Sequence, residues 1–241
     1  MKLLRYIVRY DRGLAPNPYF GVCSLALCTP NHMNAKLGRG DWILGHAPRK
    51  GGNRLVYAMR ITNVLDMNDY FDQFPSKRPD PAGTFEQWRG DNIYYSRDGQ
   101  WRRAPSLEHN TVENFRQDCG RTVYLAEGAE NYWYFGAEGA LQAQQEFPSR
   151  FPRLVHAGRG ISYATDPRVI AGFAAWLESL GRSGLIGEPG DRALLPDSDY
   201  LVAIDPDEQW MRVEDARGAS PFSCSPSSTG EKRSAKRCGT C

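Results

Sequence analysis

The sequence predicts an α+β fold: a curved mixed sheet or a small β-barrel with helices at its periphery. The first observation is a Gly-Arg-Gly-Asp turn at 38–41 that leads into the apolar segment 42–45. The second is the segment 55–64, where Leu55, Tyr57, Met59 and Ile61 recur every two residues, the period of a strand with one buried face. The third is a content of 24 glycines and 16 prolines, which indicates many loops and argues against a helical bundle.

Further strands are predicted on both sides of this pair. Leu4, Tyr6, Val8 and Tyr10 share one face of an opening strand, and the glycine and two prolines of residues 11–18 require a loop after it. Residues 19–28 are apolar enough to return to the core. The remaining predicted strands are 122–126, 132–135, and a last hairpin from 201–204 and 210–213.

Local signals also predict the helices. The clearest helix begins near Asp166, with Thr165 or Asp166 as cap, Pro167 at the first helical position and Gly181 at the exit. Its apolar stripe, which is predicted to face the core, consists of Ile170, Phe173, Leu177 and Leu180. A short helix is expected at 66–74, a helical turn at 84–89, an exposed loop at 90–95 and a hairpin tip at 97–103.

The domain organisation predicted from these elements is a single domain over residues 1–219. Its core spans about residues 1–160, and a helical and strand extension follows at 161–219. Residues 220–241 are rich in serine, proline and charge and cannot bury enough apolar area to offset the cost of ordering. We expect this tail to be disordered.

Composition limits the classes of partner and compartment. The formal net charge is only +2, so polyanion binding requires a local patch and not a strong overall field. Arg5 and Arg9 interrupt the first apolar segment, which argues against a signal peptide, and no apolar run approaches the length of a membrane span. The six cysteines are scattered. A cytoplasmic protein with free thiols and no membrane partner is expected.

Four blocks of the sequence resemble a known family: residues 15–23 (Ala-Pro-Asn-Pro-Tyr-Phe-Gly-Val-Cys), 40–45, 55–60 and 90–94 (Gly-Asp-Asn-Ile-Tyr). They are similar to the second type of nucleotide-modification-associated domain, over roughly the first 160 residues. That resemblance implies a role beside DNA base-modification systems of phages and bacteria. The Gly-Asp-Trp strand is also loosely similar to the PUA-like barrels of EVE and ASCH domains, in which such a strand walls a pocket for a base.

Aromatic and polar side chains in these blocks are candidates for binding a base. Aromatic rings can stack on a base, while carboxylates and amides match exocyclic amines and ring nitrogens. Core packing competes with this role for Trp42 and Tyr57, and a turn-stabilising role competes for Asn17 and Asp41. The base-binding candidates are Tyr10, Asn17, Tyr19, Asp41, Trp42, Asp91, Asn92 and Tyr94.

Charged residues supply the remaining candidates. Arg49, Lys50 and Arg54 lie in a glycine loop between the two marker strands and could contact phosphates, although a solvated surface is the favoured explanation for basic residues of this kind. The candidates for acid or base catalysis are Asp11, Asp41, Asp91 and His156. The four histidines are dispersed and the single Cys-x-x-Cys at 238–241 lacks a second pair, so no metal site is predicted.

Three functions remain open at this level. The first is a module that binds a modified or flipped nucleobase and works with DNA-modification enzymes or a defence system. The second is an enzyme that catalyses a step of nucleobase or nucleotide modification. The third is a protein-interaction scaffold. No Walker A, nucleophile-elbow or dinucleotide motif is present, so the sequence identifies no cofactor.

Overall fold

A computed structural model describes residues 1–27, 35–106, 108–109, 112–137 and 141–190. The predicted hairpin at 201–213, the tail at 220–241 and four of the six cysteines lie outside these ranges. The strands are β1 (Leu3–Ile7), β2 (Val22–Leu25), β3 (Trp42–His46), β4 (Leu55–Arg60), β5 (Asn63–Leu65), β6 (Tyr94–Arg97), β7 (Gln100–Arg103), β8 (Val123–Glu127), β9 (Tyr132–Tyr134), β10 (Ile161–Ala164) and β11 (Gly184–Leu185). The helices are α1 (Met67–Gln73), α2 (Phe85–Trp88), α3 (Val112–Asp118), α4 (Gln142–Arg150) and α5 (Pro167–Glu178).

A six-stranded mixed sheet, with the strand order β10-β1-β3-β4-β9-β11, forms the centre of the molecule. β1 and β3 are parallel, while β3, β4 and β9 pair antiparallel. A second sheet has the antiparallel order β2-β8-β5, and β6 and β7 form a separate hairpin. The α+β class is therefore confirmed. Among the described strands, β10 and β11 are opposite edges and do not pair with each other, so the sheet is not closed into a barrel.

Both faces of the six-stranded sheet are buried. One face, with Trp42, Leu44 and Trp133, packs against α4 and α5. The other face, with Tyr6 and Met59, packs against the second sheet. The expectation of one buried face on β4 was wrong, because every residue from Leu55 to Met59 is buried between these two layers. The opening strand is also shorter than predicted, since β1 ends at Ile7 and Tyr10 is 50% exposed.

The helix predictions are confirmed where capping signals are strong. The Asp166 carboxylate accepts a hydrogen bond from the Arg168 amide at the start of α5, and Pro167 occupies the first helical position. Asp66 caps α1 in the same way. Thr84 and Gln87 form a reciprocal capping box that satisfies the first amides of α2.

The segment 90–94 is buried, contrary to the prediction of an exposed loop. It runs beneath the 3-10 turn at Pro75–Lys77, and the Asn92 amide donates to the Lys77 carbonyl at 3.0 Å. A Cβ at Gly90 would come within 2.5 Å of the Pro79 nitrogen. Glycine is therefore required here by close approach of two backbone segments.

The last described segment lies along β9. The Ile186 and Gly187 amides both donate to the Tyr134 carbonyl, at 2.8 and 3.1 Å. A Cβ at Gly187 would collide with the Phe135 carbonyl, and one at Gly136 with the Glu188 carbonyl. No helix among the described residues is long and apolar enough to cross a membrane.

Candidate functional site

A fully buried polar network joins the loop after β1 to the segment 90–94. The Lys77 ammonium donates to the side-chain oxygen of Asn17 at 2.5 Å, to the Asn17 carbonyl at 3.0 Å and to the Val22 carbonyl at 2.6 Å. The Asn17 amide group in turn donates to the Arg89 carbonyl at 2.8 Å. Asp91 accepts from the Tyr70 hydroxyl at 2.6 Å and from the Ser24 hydroxyl at 2.7 Å.

Burial dominates the electrostatics of this network. It lowers the pKa of Lys77 to about 8, although Asp91 and Cys23 act in the opposite direction. Burial raises the pKa of Asp91, opposed by Lys77 and by the hydrogen bonds from Tyr70 and Ser24. It also raises the pKa of the Cys23 thiol to about 12. These groups sit away from water and depend on one another for polar partners.

The network brings together three of the predicted base-reading residues, Asn17, Asp91 and Asn92. Their side chains are nevertheless engaged with the protein: the Asn92 amide group donates to the Tyr70 and Phe74 carbonyls at 2.9 and 3.0 Å. Each of the three is buried. The arrangement fixes the loop after β1 against α1 and α2, and so it positions the residues that flank it.

The flanking residues form an aromatic–arginine cluster, which consists of Tyr19, Phe20, Phe85, Trp88 and Arg89. Successive ring centroids lie 6.4 Å apart for Tyr19 and Phe20, 6.3 Å for Tyr19 and Phe85, and 6.0 Å for Phe85 and Trp88. The Arg89 guanidinium lies 4.1 Å from the Trp88 ring centroid and 5.3 Å from that of Phe85. A planar cation and four aromatic rings thus form one continuous set of ring and cation contacts.

Phe20 is the exposed member of the aromatic–arginine cluster. It occupies a two-residue turn with φ of 60° and Gly21 follows with φ of 73°. The left-handed region is unusual for a bulky side chain, and turns of this kind ordinarily carry asparagine or glycine. Phe20 is 42% exposed and its ring contacts Tyr19 edge-on, so packing involves only part of its surface.

Charges complete the cluster. Glu108 accepts from Arg89 at 2.5 Å and from Arg12 at 3.5 Å, with the Arg89 side chain completely buried. Burial lowers the pKa of Arg89, and Glu108 opposes that effect. Three buried donors nearby, the Tyr19 hydroxyl, the Trp88 indole N–H and the Arg12 Nε, have no acceptor in the part of the chain that the structure describes. Together they favour a ligand rich in acceptor oxygens or nitrogens.

Asp11 lies next to this region. It is buried, and its carboxylate accepts from the Tyr134 hydroxyl of β9. Burial and then the negative charges of Glu188, Asp11 and Glu86 raise the pKa of Tyr19, so its hydroxyl remains protonated at neutral pH. Gly13, at φ of 71°, leaves no room for a Cβ, because one would lie 2.6 Å from the Tyr19 hydroxyl. A carboxylate and a phenol therefore approach the same backbone turn.

A buried imidazole–carboxylate pair lies one residue beyond Glu108. His109 Nδ1 is 2.6 Å from the Asp118 carboxylate at the end of α3. Tyr94, another predicted base-binding residue, donates from its hydroxyl to the His109 carbonyl at 2.7 Å. A carboxylate on Nδ1 fixes the tautomer and orientation of an imidazole, an arrangement that general bases use.

The other predicted residues lie elsewhere. Asp41 accepts from the Lys2 and Gly38 amides and stabilises its own turn. Trp42 is 2% exposed and stacks on Trp133 in the cluster under α5. Arg54 donates to the Ala137 carbonyl at 2.7 Å. Tyr10, Arg49 and Lys50 are exposed. The His156 backbone amide donates to the imidazole of His46, the last residue of β3.

A family model described as nucleotide modification associated domain 2 matches residues 1–195. The chain belongs to this family. The match covers every described residue of the sheets and helices above. No curated protein and no solved structure matches the chain.

Sequence reasoning on this nucleotide modification associated domain includes Phe20 among the aromatic side chains that could stack on a base, but it misses Lys77, Arg89, Glu108 and the His109–Asp118 pair. The predicted helical turn at 84–89 does place Arg89 at the C-terminal end of α2, but no local signal predicts that its side chain is buried. Among the described residues, no group of three His, Cys, Asp or Glu side chains could hold a metal ion.

Proposed function

We propose that this nucleotide modification associated domain binds a nucleobase, either modified or extruded from nucleic acid, at the aromatic–arginine cluster. The observation that carries the proposal is Phe20, an exposed aromatic ring held at positive φ in a tight turn. Strained, exposed positions of this kind concentrate at ligand sites. The domain would act together with DNA-modification enzymes and take nucleic acid or a nucleotide as its partner.

The energies of the interactions are consistent with such a role. Stacking a base on an aromatic side chain contributes about 1–3 kcal/mol, and extrusion of a base from a duplex costs a few kcal/mol. Phe20 alone would not offset extrusion. Hydrogen bonds from the Tyr19 hydroxyl and the Trp88 indole to base acceptors, with a phosphate contact from Arg12, supply the remainder.

A binding measurement tests the proposal. Intrinsic tryptophan fluorescence is titrated with single-stranded oligonucleotides that contain one modified base or its unmodified counterpart. We expect Phe20→Ala to weaken the preferred oligonucleotide by about five- to hundredfold, the loss of one stacking contact. Tyr163→Ala, which removes a similarly exposed aromatic ring from β10, serves as the matched control and should bind within twofold of the wild type.

Two results would overturn the base-binding proposal. One is equal affinity for all oligonucleotides together with a steep salt dependence, which marks binding to the backbone alone. The other is an unchanged affinity of the Phe20→Ala variant. Repeating the titration with the free modified nucleoside separates recognition of the base from contacts to the phosphates.

A second candidate function is catalysis of a step in nucleobase modification, with no cofactor assigned. The observation that favours it is the His109–Asp118 pair. His109 directly follows Glu108, the ion-pair partner of Arg89 in the aromatic–arginine cluster. Asp118→Asn would keep the side-chain shape and disturb the imidazole tautomer. The test uses cells that carry the intact modification system. The nucleosides of their DNA are measured by mass spectrometry. An unchanged nucleoside profile in the Asp118→Asn strain would exclude this role.

A further inference from the structure

A strap between α4 and β10, formed by residues 155–160, is held to the central sheet by a histidine of β3. Leu154 anchors the start of the strap, because it is fully buried in the cluster under α5. Ile161, directly after the strap, pairs with β1. Between these ends, the His156 backbone amide donates to Nε2 of His46, the last residue of β3, at 2.8 Å. This hydrogen bond is the latch of the strap.

The latch requires a neutral imidazole at His46. A backbone N–H can only donate, so the Nε2 that faces the His156 amide is unprotonated. Nδ1 lies 2.7 Å from the Ala47 carbonyl oxygen, which can only accept, so Nδ1 carries the proton. Main-chain groups therefore assign both ring nitrogens. A proton added to Nε2 would place two N–H groups against each other, and the latch would break.

The surroundings of His46 oppose a positive charge on its ring. The residue is fully buried, and burial lowers its pKa, while the carbonyl group of the next residue opposes that effect. His156 on the strap and Arg5 on β1 act in the same direction as burial. The neighbours from the other two packed elements are apolar: the Phe147 ring of α4, with its centroid 6.2 Å away, and Leu55, which pairs with His46 from β4. Protonation of the closed state is therefore unfavourable.

The two ends of the strap have anchors that acid leaves in place. The Arg5 guanidinium donates to the Arg153 carbonyl before the strap and, from Nε, to the Ser162 hydroxyl after it at 2.9 Å. An arginine stays protonated throughout the pH range in which imidazoles titrate. The His156 ring contacts the same hydroxyl at 2.8 Å from Nδ1, and carbonyl groups of the strap face it. The ring thus joins the strap to β10, whereas the backbone amide of His156 joins it to β3.

We propose that His46 is an acid-sensitive switch: protonation of its imidazole breaks the latch and releases the strap from the end of β3. Leu154 and β10 stay in place, so the opening is local. In the open state water reaches the His46 ring and solvates its charge, and a return to neutral pH closes the strap again. This device is separate from the aromatic–arginine cluster and stands without the base-binding proposal.

The direction of the pH effect follows from the protons bound by the two states. With the strap closed, the pKa of His46 lies below the ordinary histidine value of 6.5, and with the strap open it returns toward that value. The open state therefore binds one more proton in the interval between the two pKa values. The ratio of open to closed strap should rise about tenfold for each pH unit below 6.5, until the closed state is itself protonated.

NMR of the wild-type protein measures both the latch and its opening. At neutral pH a scalar coupling across the hydrogen bond should join the His156 amide nitrogen to the His46 Nε2, and this coupling should disappear on acidification. Amide hydrogen exchange measures the open strap. After correction for the intrinsic exchange rate, protection of the amides at 156–160 should fall about tenfold per pH unit, while the amides of β3 keep their protection.

Two variants test which imidazole is the switch. In His46→Gln the side-chain oxygen can accept from the His156 amide but does not titrate, so protection of the strap should become independent of pH. His156→Asn is the matched control, because it keeps the backbone donor and removes the other imidazole of the strap. It should retain the wild-type dependence of about tenfold per pH unit.

The proposal is overturned if the wild-type His46 Nε2 carries a proton at neutral pH, or if acid leaves the protection of the strap unchanged. It is equally overturned if the strap and β3 lose protection together, because acid would then unfold the whole domain. A pH dependence that persists in His46→Gln, or that disappears in His156→Asn, would also contradict it. The wild-type measurements need no variant, so poor folding of His46→Gln would not obscure the answer.

Discussion

The Lys77 ammonium donates to the side-chain oxygen of Asn17, and the two residues come from chain segments that are 60 positions apart. The same nitrogen also holds the Asn17 and Val22 carbonyl groups, so its three protons have three acceptors. Lys77 therefore ties the turn after α1 to the loop between β1 and β2. The position of the Tyr19–Phe20 turn depends on this tie.

Lys77→Met should lower the free energy of unfolding by about 3–5 kcal/mol, because it removes three buried hydrogen bonds and the positive charge beside the buried Asp91; the Asn17 carbonyl keeps only the Ser24 amide as a close donor. Lys50→Met, at an exposed position in the turn after β3, should change it by less than about 0.5 kcal/mol. Urea unfolding followed by tryptophan fluorescence measures both. A loss below about 1 kcal/mol for Lys77→Met would show that the network contributes little to stability.

Stability should depend on pH through Lys77. The pKa of Lys77 is about 8 in the folded protein and 10.5 for an ordinary lysine, which represents the unfolded chain. Between these two pH values the unfolded chain therefore binds more protons than the folded protein. The free energy of unfolding contributed by Lys77 therefore rises as pH increases from about 8 to 10.5, by about 3 kcal/mol in total. Cys23 and the buried tyrosines act oppositely, because burial raises their pKa values. The difference between wild type and Lys77→Met isolates the lysine. A flat difference across this window would contradict the assignment.

Phe20→Asn should raise the free energy of unfolding by about 0.5–1 kcal/mol, because asparagine adopts positive φ more readily than phenylalanine. The same variant should bind the preferred oligonucleotide more weakly. The reverse substitution at a comparable turn, Asn53→Phe at φ of 54°, should destabilise the protein by a similar amount. If Phe20→Asn proved destabilising, the phenylalanine would have a packing role and the inference from strain would fail.

Gly45→Ala should destabilise the protein by about 2–3 kcal/mol through overpacking. A Cβ there would collide with the Tyr57 ring and lie 2.6 Å from Val8 Cγ2. Gly38→Ala provides the control, since a Cβ at Gly38 meets nothing within 4 Å and neither glycine has a positive φ. Thermal unfolding of the two variants, measured side by side, should show a lower Tm for Gly45→Ala alone.

Glu108→Gln should lower the free energy of unfolding by about 2–4 kcal/mol, because it removes the negative charge that the fully buried Arg89 guanidinium contacts. Arg12→Met should lower the free energy of unfolding by less than about 1 kcal/mol, since the longer, partly exposed ion pair between Arg12 and Glu108 contributes little. A double-mutant cycle between Glu108 and each arginine measures the two couplings. Equal couplings would mean that Arg89 is not the dominant partner of Glu108.

Elements with local signals could be predicted from the sequence. α5 has its cap at Asp166, its proline at the first position and its apolar stripe within one segment, and no distant residue is needed to recognise them. β3 and β4 likewise follow from their own hydrophobic runs. The second buried face of β4 could not be predicted, because it requires knowledge that α4 lies over one side and β8 lies beyond the other.

The site was predictable only in part, for a related reason. The sequence blocks 15–23 and 90–94 group Asn17, Asp91 and Asn92 as candidates, and these three residues do lie together. Their burial depends on Lys77 and Tyr70, and charged residues such as Lys77 and Arg89 are normally read as solvent-facing. A Gly-Asp-Asn segment looks exposed until the buried cation and hydroxyls that satisfy it are known.

The close approach of Gly187 to Phe135 has a practical consequence for anyone shortening this chain. A truncation at Gly181 would retain all five helices, yet it would strip the Tyr134 carbonyl of both amide donors and uncover Gly13 beside Tyr19. We therefore expect a fragment that ends at Gly181 to be less stable than one that includes Pro189.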